Sequence, residues 1–365
     1  MNLAEKYRPK YLKDIIGNAV IKKSLCATLA INRIPKSILV SGKYGTGKTT
    51  YARSYARLIN CLNVKKSEED GLYEICGECD NCKNIERSTD YIEINAADQR
   101  GIDDMRDLIS RCDMGLIDLK KRVVIIDECQ QLRVDSQNIL LKPLEDSSDS
   151  TVFIFCTTNP EKILSTVKSR CRKYHLKSIS NNLILNQLKY ICSQENLEYD
   201  DSALIMIVDE ANGSMRDAIT ILDQSCGQGK ITDKIISSFT NLINLDIIYL
   251  LFENIVTYNM SQIYECIETV DNRNIPANKL FDIYIQYLND LLIYIDTKSV
   301  SLLKYKSDDY VKNIRNHSEV LKKETVWALL RNLINTHKYL DSYPRHKHLL
   351  NLVFSESCGI VAQNK

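Results

Sequence analysis

Residues 37–50, Ser-Ile-Leu-Val-Ser-Gly-Lys-Tyr-Gly-Thr-Gly-Lys-Thr-Thr, decide the fold of this chain. Ile38 to Val40 is a short β-branched run typical of a buried strand, and a helical pattern extends from Lys48 to about Asn60. Between them, Gly42 to Thr49 matches G-x-x-x-x-G-K-[ST], with the strand before it and the helix after it that a phosphate-binding loop requires. The pattern predicts that Lys48 reaches the β and γ oxygens of a nucleotide and that the Thr49 hydroxyl is a ligand for Mg²⁺. A glycine-rich turn with an incidental lysine is the alternative, and the two correct flanks disfavour it.

Outward from this loop, the first half of the chain alternates between short strands and helices. Three further strand-like runs are separated by helical patterns of ten or more residues: Tyr91 to Asn95, Arg122 to Ile126 and Val152 to Phe155. Short apolar strands that alternate with helices predict an α/β fold whose parallel sheet is covered on both faces.

The strand signals fade after about Leu176, and helical patterns follow. Residues 182–229 contain three helical segments broken by Gly213, Gly227 and Gly229, which predicts a small helical domain. From about Asn244 the pattern is helical throughout, which predicts a third, all-helical domain. We therefore expect three domains, at residues 1–177, 178–240 and 241–365.

Two acids end the third strand-like run. Arg122-Val-Val-Ile-Ile is followed by Asp127 and Glu128, and in a P-loop enzyme such an acid at the carboxyl end of a neighbouring strand holds Mg²⁺. We assign Asp127 to the metal and Glu128 to orienting or deprotonating the attacking water, because hydrolysis of a phosphoanhydride depends on positioning and charge neutralisation. A solvated strand end is the alternative.

Four cysteines lie between the helix of the phosphate-binding loop and the Tyr91 strand. Cys61, Cys76, Cys79 and Cys82 form C-x14-C-x2-C-x2-C in a polar loop that contains glycine. Four thiolates suit tetrahedral Zn²⁺ with no open position, which is a structural rather than a catalytic site. An Fe–S cluster and four separate cysteines are the alternatives.

The composition excludes several classes of protein. The 365 residues are 44% hydrophobic and 26% charged, with a mean hydropathy of -0.24, as in globular proteins. No apolar run approaches the ~18 to 20 residues of a membrane-spanning helix, and no secretory signal is visible. We expect a cytoplasmic protein with no membrane partner, whose thirteen cysteines stay reduced. Residues 1–60 carry a net charge of +10 and can face a polyanion.

Taken in order, these motifs resemble one family, the AAA+ clamp loader ATPases. That family includes the gamma/tau subunit of bacterial DNA polymerase III, with the small subunits of replication factor C as relatives. Further segments that carry the resemblance are Glu5-Lys-Tyr-Arg-Pro9, the central helix Ser136 to Lys142, sensor 1 at Thr157 to Pro160, the SRC signature at Ser169 to Cys171, and sensor 2 at Gly213 to Ala218. The ordered signals cover residues 1 to about 230, and the length resembles the short gamma form, which has no tau-like extension.

The resemblance implies a fold and individual roles. The fold is a P-loop AAA+ domain with a parallel sheet, a helical lid and an all-α collar that assembles subunits. The opening segment packs near the adenine, and Thr158, with Asn159, senses the γ-phosphate. Arg216 contacts the same nucleotide from the lid, and Arg170 acts in trans on the ATP of a neighbouring subunit. The predicted ATP-binding residues are Tyr7, Arg8, Pro9, Gly42, Gly45, Thr46, Gly47, Lys48, Thr49, Thr50, Thr158, Asn159 and Arg216, and the predicted catalytic residues are Lys48, Asp127, Glu128 and Arg170.

Two stretches differ from the family's usual pattern. Cys129 and Gln130 follow the acidic pair, where Val or Ala and then His or Asp are common, and Glu145-Asp-Ser-Ser148 replaces Glu-Glu-Pro-Pro. The four cysteines fall where the gamma subunit carries its zinc module.

The function implied is an ATP-driven loader that opens a ring-shaped sliding clamp and closes it around primer-template DNA. Its cofactors are ATP, Mg²⁺ and Zn²⁺. Its partners are the sliding clamp, DNA contacted through the phosphate backbone, and other loader subunits in a homo- or hetero-oligomer, expected to be a pentamer. The alternatives are a nucleotide-binding scaffold subunit that does not hydrolyse ATP, and an AAA+ branch-migration motor.

Overall fold

The structure is a computed structural model, and it describes residues 2–67, 71–99, 101–146, 149–227, 229–239, 245–272, 276–304, 308–339 and 346–363. The chain divides into two compact units, Met1–Phe239 and Thr240–Lys365. The lid helices lie in the first unit, and its subdivision into a sheet domain and a lid domain stays a prediction. Within the described ranges, no helix combines the length and the apolar character needed to cross a membrane.

The first unit contains seven strands and twelve α-helices in the described part of the chain. The strands are β1 Ser37–Gly42, β2 Lys65–Lys66, β3 Tyr73–Glu74, β4 Tyr91–Asn95, β5 Arg122–Asp127, β6 Thr151–Thr157 and β7 Arg172–Leu176. The helices are α1 Leu3–Lys6, α2 Ala19–Ala30, α3 Lys48–Asn60, α4 Asp80–Asn84, α5 Ile102–Cys112, α6 Val134–Ile139, α7 Leu141–Asp146, α8 Ser165–Arg170, α9 Asn181–Glu195, α10 Asp201–Ala211, α11 Met215–Ser225 and α12 Asp233–Phe239.

Five strands form a parallel sheet in the order β4-β5-β6-β1-β7. Successive residues of a strand point to opposite faces, and in this sheet both faces are apolar. Val123 and Ile125 pack on one side with α3, whereas Val124 and Ile126 pack on the other side with α5. Because parallel strands end at the same edge, β1, β5 and β6 deliver their carboxyl-terminal loops to one place.

The central helix differs from the prediction for Ser136 to Lys142. The structure has two short helices, α6 and α7, with Leu140 between them as the C-cap of α6. Pro143 explains the interruption, since a proline has no backbone N–H and its ring clashes with the carbonyl four residues earlier.

The second unit is helical wherever the structure describes it. Its helices are α13 Leu245–Thr257, α14 Met260–Asn272, α15 Ala277–Thr297, α16 Asp308–Ser318, α17 Lys323–His337 and α18 His346–Gln363. The long helix α15 buries one face, on which Leu280, Tyr284, Leu288 and Leu291 recur at steps of three and four residues. Each leucine of this face contributes about 1.5–3 kcal/mol when buried.

Candidate active site

The phosphate-binding loop connects β1 to α3. Gly45 and Gly47 adopt φ angles of 70° and 92°, which side chains other than glycine rarely allow. Lys48, the first residue of α3, is 5% exposed, and its Nζ donates to the Lys43 carbonyl oxygen at 3.0 Å. Burial lowers the pKa of Lys48 below its usual value, with the nearby carboxylates of Glu128 and Asp127 opposing that shift. The ammonium group therefore lies inside a turn of backbone that suits a phosphate.

Thr49 and Asp127 meet at the edge of the sheet. The Thr49 hydroxyl donates to Asp127 Oδ2 at 2.6 Å, which joins the start of α3 to the end of β5. A hydroxyl and a carboxylate oxygen at this spacing are the ligand types that Mg²⁺ prefers. The predicted magnesium pair is thus brought together.

Glu128 follows Asp127 in an unusual backbone conformation. Its φ and ψ are 50° and 38°, in the left-handed region that only a few per cent of non-glycine residues adopt. Such outliers concentrate at functional sites, where the surrounding structure holds them in place. The conformation turns the chain away from β5 and leaves Glu128 at the wall of a cavity.

One cavity of about 660 Å³ contains most of the predicted nucleotide site. Its walls include all the predicted ATP-binding residues except Gly42, Thr158 and Asn159, together with Asp127 and Glu128. A volume of this order suits a small-molecule ligand.

The N-terminal segment closes one side of the cavity and is fastened to the lid. Arg8 Nε donates to Thr50 Oγ1 at 3.3 Å, and burial lowers the pKa of Arg8. Lys6 Nζ lies 2.7 Å from Glu195 Oε1 at the end of α9, and the Tyr7 hydroxyl donates to the same oxygen. These bonds lower the pKa of Glu195 and raise that of Tyr7 to about 12. The sequence gives no signal for Glu195, because the contact joins positions 188 residues apart.

The lid contributes α11, whose first turn faces the phosphate-binding loop. Ser214 caps this helix by accepting from the Asp217 backbone N–H at 3.2 Å. The Arg216 guanidinium lies 5.7 Å from the centre of the Tyr44 ring, within the range of a cation–π contact. Arg216 therefore lines the cavity from the lid side, with Tyr44 as a partner that the sequence does not predict, and its contact with a nucleotide stays a prediction.

The sensor 1 segment lies just beyond the cavity. Thr157 ends β6, and Thr158 Oγ1 accepts a hydrogen bond from Gln130 Nε2 at 3.0 Å. Asn159 uses its side chain to accept from the Glu161 backbone N–H at 3.1 Å, which caps a 3-10 turn. Thr158 is linked to the acidic pair through Gln130, whereas Asn159 is engaged locally.

Arg170 does not reach the cavity of its own chain. At the end of α8, its Nε donates to Glu145 Oε1 at 2.7 Å, and its Nη2 donates to the same oxygen. Its Nη1 donates to the Thr166 carbonyl at 2.8 Å. A role in trans is compatible with this position, and it stays a prediction.

The four predicted metal ligands converge. All four Sγ atoms lie within 4.8 Å of one another, with Cys61–Cys76 at 3.6 Å and Cys76–Cys82 at 3.9 Å. These separations are too long for a disulfide, and they match the edge of about 3.8 Å in a tetrahedron whose Zn–S bonds are about 2.3 Å. Backbone N–H groups of Cys79 and Glu78 lower the pKa of Cys76 to about 6, which favours its thiolate, whereas burial raises the pKa values of Cys61 and Cys82.

Fold and site together define an AAA+ ATPase: a parallel sheet with a phosphate-binding loop after β1, an acidic pair after β5 and a helical lid on one cavity. Residues 17–180 match the family model "DNA polymerase III, delta subunit", and residues 183–230 match "DNA polymerase III clamp loader subunit, ATPase lid domain". The DNA polymerase III subunit tau/gamma of Haemophilus influenzae is 30% identical over 353 residues, 94% of this chain and 49% of that protein. The DNA polymerase III subunit gamma of Buchnera aphidicola (subsp. Baizongia pistaciae) is 31% identical over 319 residues, 86% of this chain and 84% of that protein.

The chain belongs to the DNA polymerase III gamma/tau family of clamp loader subunits. The matched part of the chain spans 49% of the length of the Haemophilus relative and 43% of the length of the DNA polymerase III subunit tau of Escherichia coli. The RuvB Holliday junction branch migration motor of Thermotoga maritima resembles the structure with a TM-score of 0.49 and 19% identity, over 68% of this chain and 79% of that one. This likeness concerns the fold alone.

Proposed function

We propose that the chain is an ATP-hydrolysing subunit of a clamp loader, which opens a sliding clamp and places it on primer-template DNA in the cytoplasm. The observation that supports this most strongly is the convergence of Lys48, Thr49, Asp127 and Glu128 on one cavity with Arg216 at its lid side. A purely nucleotide-binding scaffold has no chemical need for all of these groups.

Each residue has a distinct task in the proposed reaction. Lys48 neutralises charge on the β and γ oxygens, and Glu128 orients the attacking water and accepts its proton. Thr49 and Asp127 would hold Mg²⁺, which supplies further neutralisation of the phosphate oxygens when bound. Arg216 would contact the γ-phosphate from the lid, so that nucleotide binding joins the lid to the sheet domain.

Arg170 is proposed to act on ATP held by a neighbouring subunit. In its own chain it is paired with Glu145, and both residues are exposed. Exposed ion pairs of this kind contribute about 0–1 kcal/mol, so a stronger partner on an adjoining subunit can displace Glu145. Hydrolysis would then depend on correct assembly, which we expect to be a pentamer containing other loader subunits.

The cysteine cluster is proposed to bind one structural Zn²⁺. Four sulfur ligands complete a tetrahedron and leave no position for substrate. Cys61 directly follows α3, whose first residue is Lys48. The metal would therefore fix the far end of the helix that carries the phosphate-binding lysine.

The test is the ATPase rate of the chain assembled with its sliding clamp and companion subunits, measured with and without primed DNA. We expect clamp and DNA to stimulate hydrolysis, Lys48→Ala to remove nucleotide binding, and Glu128→Gln to retain binding while hydrolysis falls about 10²-fold or more. Arg170→Ala should lower the rate of the assembly by up to about 10³-fold without changing the nucleotide Kd of the isolated chain. Arg106→Ala is the matched control, because Arg106 is also exposed and paired with an acid in its own chain.

Two results would redirect the proposal. Equal hydrolysis in the wild type and in Glu128→Gln would favour a scaffold subunit that does not turn over ATP. Hydrolysis that depends on DNA but ignores the clamp would favour a motor that moves along DNA.

A further inference from the structure

Gln130 makes four hydrogen bonds that join the acidic pair to the sensor segment. Its Nε2 donates to Glu128 Oε2 and to Thr158 Oγ1, the latter at 3.0 Å. Its Oε1 accepts from Thr157 Oγ1 at 2.7 Å and from the Thr158 backbone N–H at 3.4 Å. Both donor hydrogens and the acceptor oxygen of the carboxamide are therefore engaged, and the direction of the Thr158 N–H fixes which end of the amide is the oxygen.

The backbone explains how this side chain comes to lie there. The left-handed conformation of Glu128 starts a 3-10 turn at Cys129, which is fully buried. Gln131 N–H donates to the Glu128 carbonyl at 2.9 Å and closes the turn. The turn brings Gln130 back beside Glu128 and against the end of β6, between strands that pair directly in the sheet.

The hydrogen-bond directions decide which groups stay available. Thr158 Oγ1 accepts from Gln130, so the Thr158 hydroxyl hydrogen is not used in that bond and can be donated to a phosphate oxygen. Glu128 receives the other Nε2 hydrogen on Oε2, which leaves Oε1 to accept a proton from water. Gln130 thus orders an acceptor on Glu128 and a donor on Thr158, the residue that the family resemblance predicts to contact the γ-phosphate.

We propose that Gln130 is a positioning residue, which holds Glu128 and Thr158 in one hydrogen-bonded unit so that contact of Thr158 with the γ-phosphate fixes the orientation of Glu128. This inference rests on the proposed ATP hydrolysis and deepens it. Gln130 is one of two residues after the acidic pair that differ from the usual residues of the family, and the proposal gives this residue a task.

Two substitutions separate this role from a purely structural one. Gln130→Ala removes all four bonds, whereas Gln130→Glu keeps the shape and an acceptor for Thr157 while it removes both donors. We expect each variant to bind ATP within about twofold of the wild-type Kd and to lower kcat by about 10²-fold, because misplacement of a reacting group by about 1 Å has that effect. Gln131→Ala, at the exposed neighbouring position, is the matched control and should keep the wild-type kcat.

A double-variant cycle tests the link itself. If Gln130 acts through Thr158, then Thr158→Val combined with Gln130→Ala should lower kcat scarcely further than either single change, because residues that act as a unit are not additive. Wild-type kcat in both Gln130 variants of an active enzyme, or fully multiplicative effects in the cycle, overturns this inference and leaves the proposed function intact. An inactive wild-type assembly overturns both. Thermal unfolding of each variant excludes misfolding as the cause of a lower rate.

Discussion

Gly45 is the residue at which the phosphate-binding loop meets the lid. A Cβ atom added to Gly45 would lie 1.7 Å from Ser214 Oγ and 2.8 Å from Ser214 Cβ, and the φ of 70° adds strain for any side chain. The left-handed conformation alone costs about 1–2 kcal/mol. Gly45→Ala should therefore displace either the loop or the N-terminus of α11, and we expect the ATP Kd to rise at least about tenfold, as titration calorimetry would measure.

A second substitution shows whether Gly45→Ala weakens ATP binding through the clash with Ser214 or through the strain of a positive φ. Ser214→Gly removes the Oγ and Cβ atoms that the new methyl group meets, and glycine in place of a serine N-cap costs only a few tenths of a kcal/mol. The double variant should recover part of the lost affinity if the lid contact matters. Gly115→Ala is the control, since a Cβ there meets nothing within 4 Å. No recovery in the double variant would mean that loop strain alone accounts for the loss.

Among individual residues of the candidate site, the sequence predicts those that belong to local motifs. Lys48 and Thr49 follow each other in a fixed pattern, and Asp127 ends an apolar run, so the phosphate-binding loop and the acid at the strand end are predicted together from the sequence. Gln130 and Glu195 differ, because Thr158 lies 28 residues from Gln130 and Lys6 lies 189 residues from Glu195, and only the folded sheet and lid bring these pairs together. The sequence alone marks Gln130 only as a difference from the usual residues of the family at that position.

We expect the loop that carries Cys61, Cys76, Cys79 and Cys82 to be well ordered only when it binds a metal ion. We predict about one zinc per chain by atomic emission spectroscopy, and its loss in Cys76→Ser, because three sulfur ligands no longer complete the tetrahedron. Hydrogen exchange should accelerate around Cys61 and in α4, where Cys79 is the N-cap and Cys82 a member of the helix. ATP binding should persist, since the loop lies at the opposite end of α3 from Lys48, about 20 Å along the helix.

Cys226→Ser is a suitable control for this experiment. Cys226 lies outside the cluster and its Sγ donates to the Leu222 carbonyl, a bond that a serine hydroxyl can replace. Full zinc content in Cys76→Ser, or none in the wild type purified without chelator, would contradict the assignment. Iron in place of zinc would support the alternative of a cluster.

The sequence predicts four of the five strands of the sheet, including the edge strand β4, but it does not predict β7 at the other edge. Each residue of β6 is buried, which produces an uninterrupted apolar run. β7 reads Arg-Lys-Tyr-His-Leu and buries only Tyr174 and Leu176, so its charged positions resemble a loop. Charged residues protect an edge strand from pairing with other chains, and the same feature hides it from a hydrophobicity pattern.

Across the whole molecule, the two units draw their stability from different kinds of core. The first unit has an apolar layer on each side of its sheet, and the second has a helical core. Both units also bury polar side chains, such as Arg122 and Asp90 in the first and His317 in the second. His317 of α16 is 5% exposed, and its ring stacks on that of Phe252 with 4.4 Å between the centres. The Tyr287 hydroxyl is hydrogen-bonded to His317 Nδ1, and Glu253 Oε1 lies 3.5 Å from Nε2.

This buried histidine predicts that acid destabilises the second unit. Burial lowers the pKa of His317 below its ordinary value of 6.5, and the opposing effect of Glu253 is smaller. Below pH about 6.5 the unfolded chain therefore binds more protons than the folded chain. The free energy of unfolding decreases as the pH decreases, until the pH lies below the pKa of His317 in the folded chain. His317→Gln should be less stable than the wild type at pH 7.5 but should lose less stability between pH 7.5 and 5.5.

Trp327 makes the measurement specific, because it is the single tryptophan of the chain and lies in α17 of the same unit. Urea unfolding followed by its fluorescence gives a midpoint for this unit at each pH, without a contribution from tryptophans elsewhere. His348→Gln, at an exposed position of α18, should keep the wild-type pH dependence. If His317→Gln shows the same fall in midpoint as the wild type, carboxylates account for the acid sensitivity, and the imidazole in the core of the second unit is not the group that titrates.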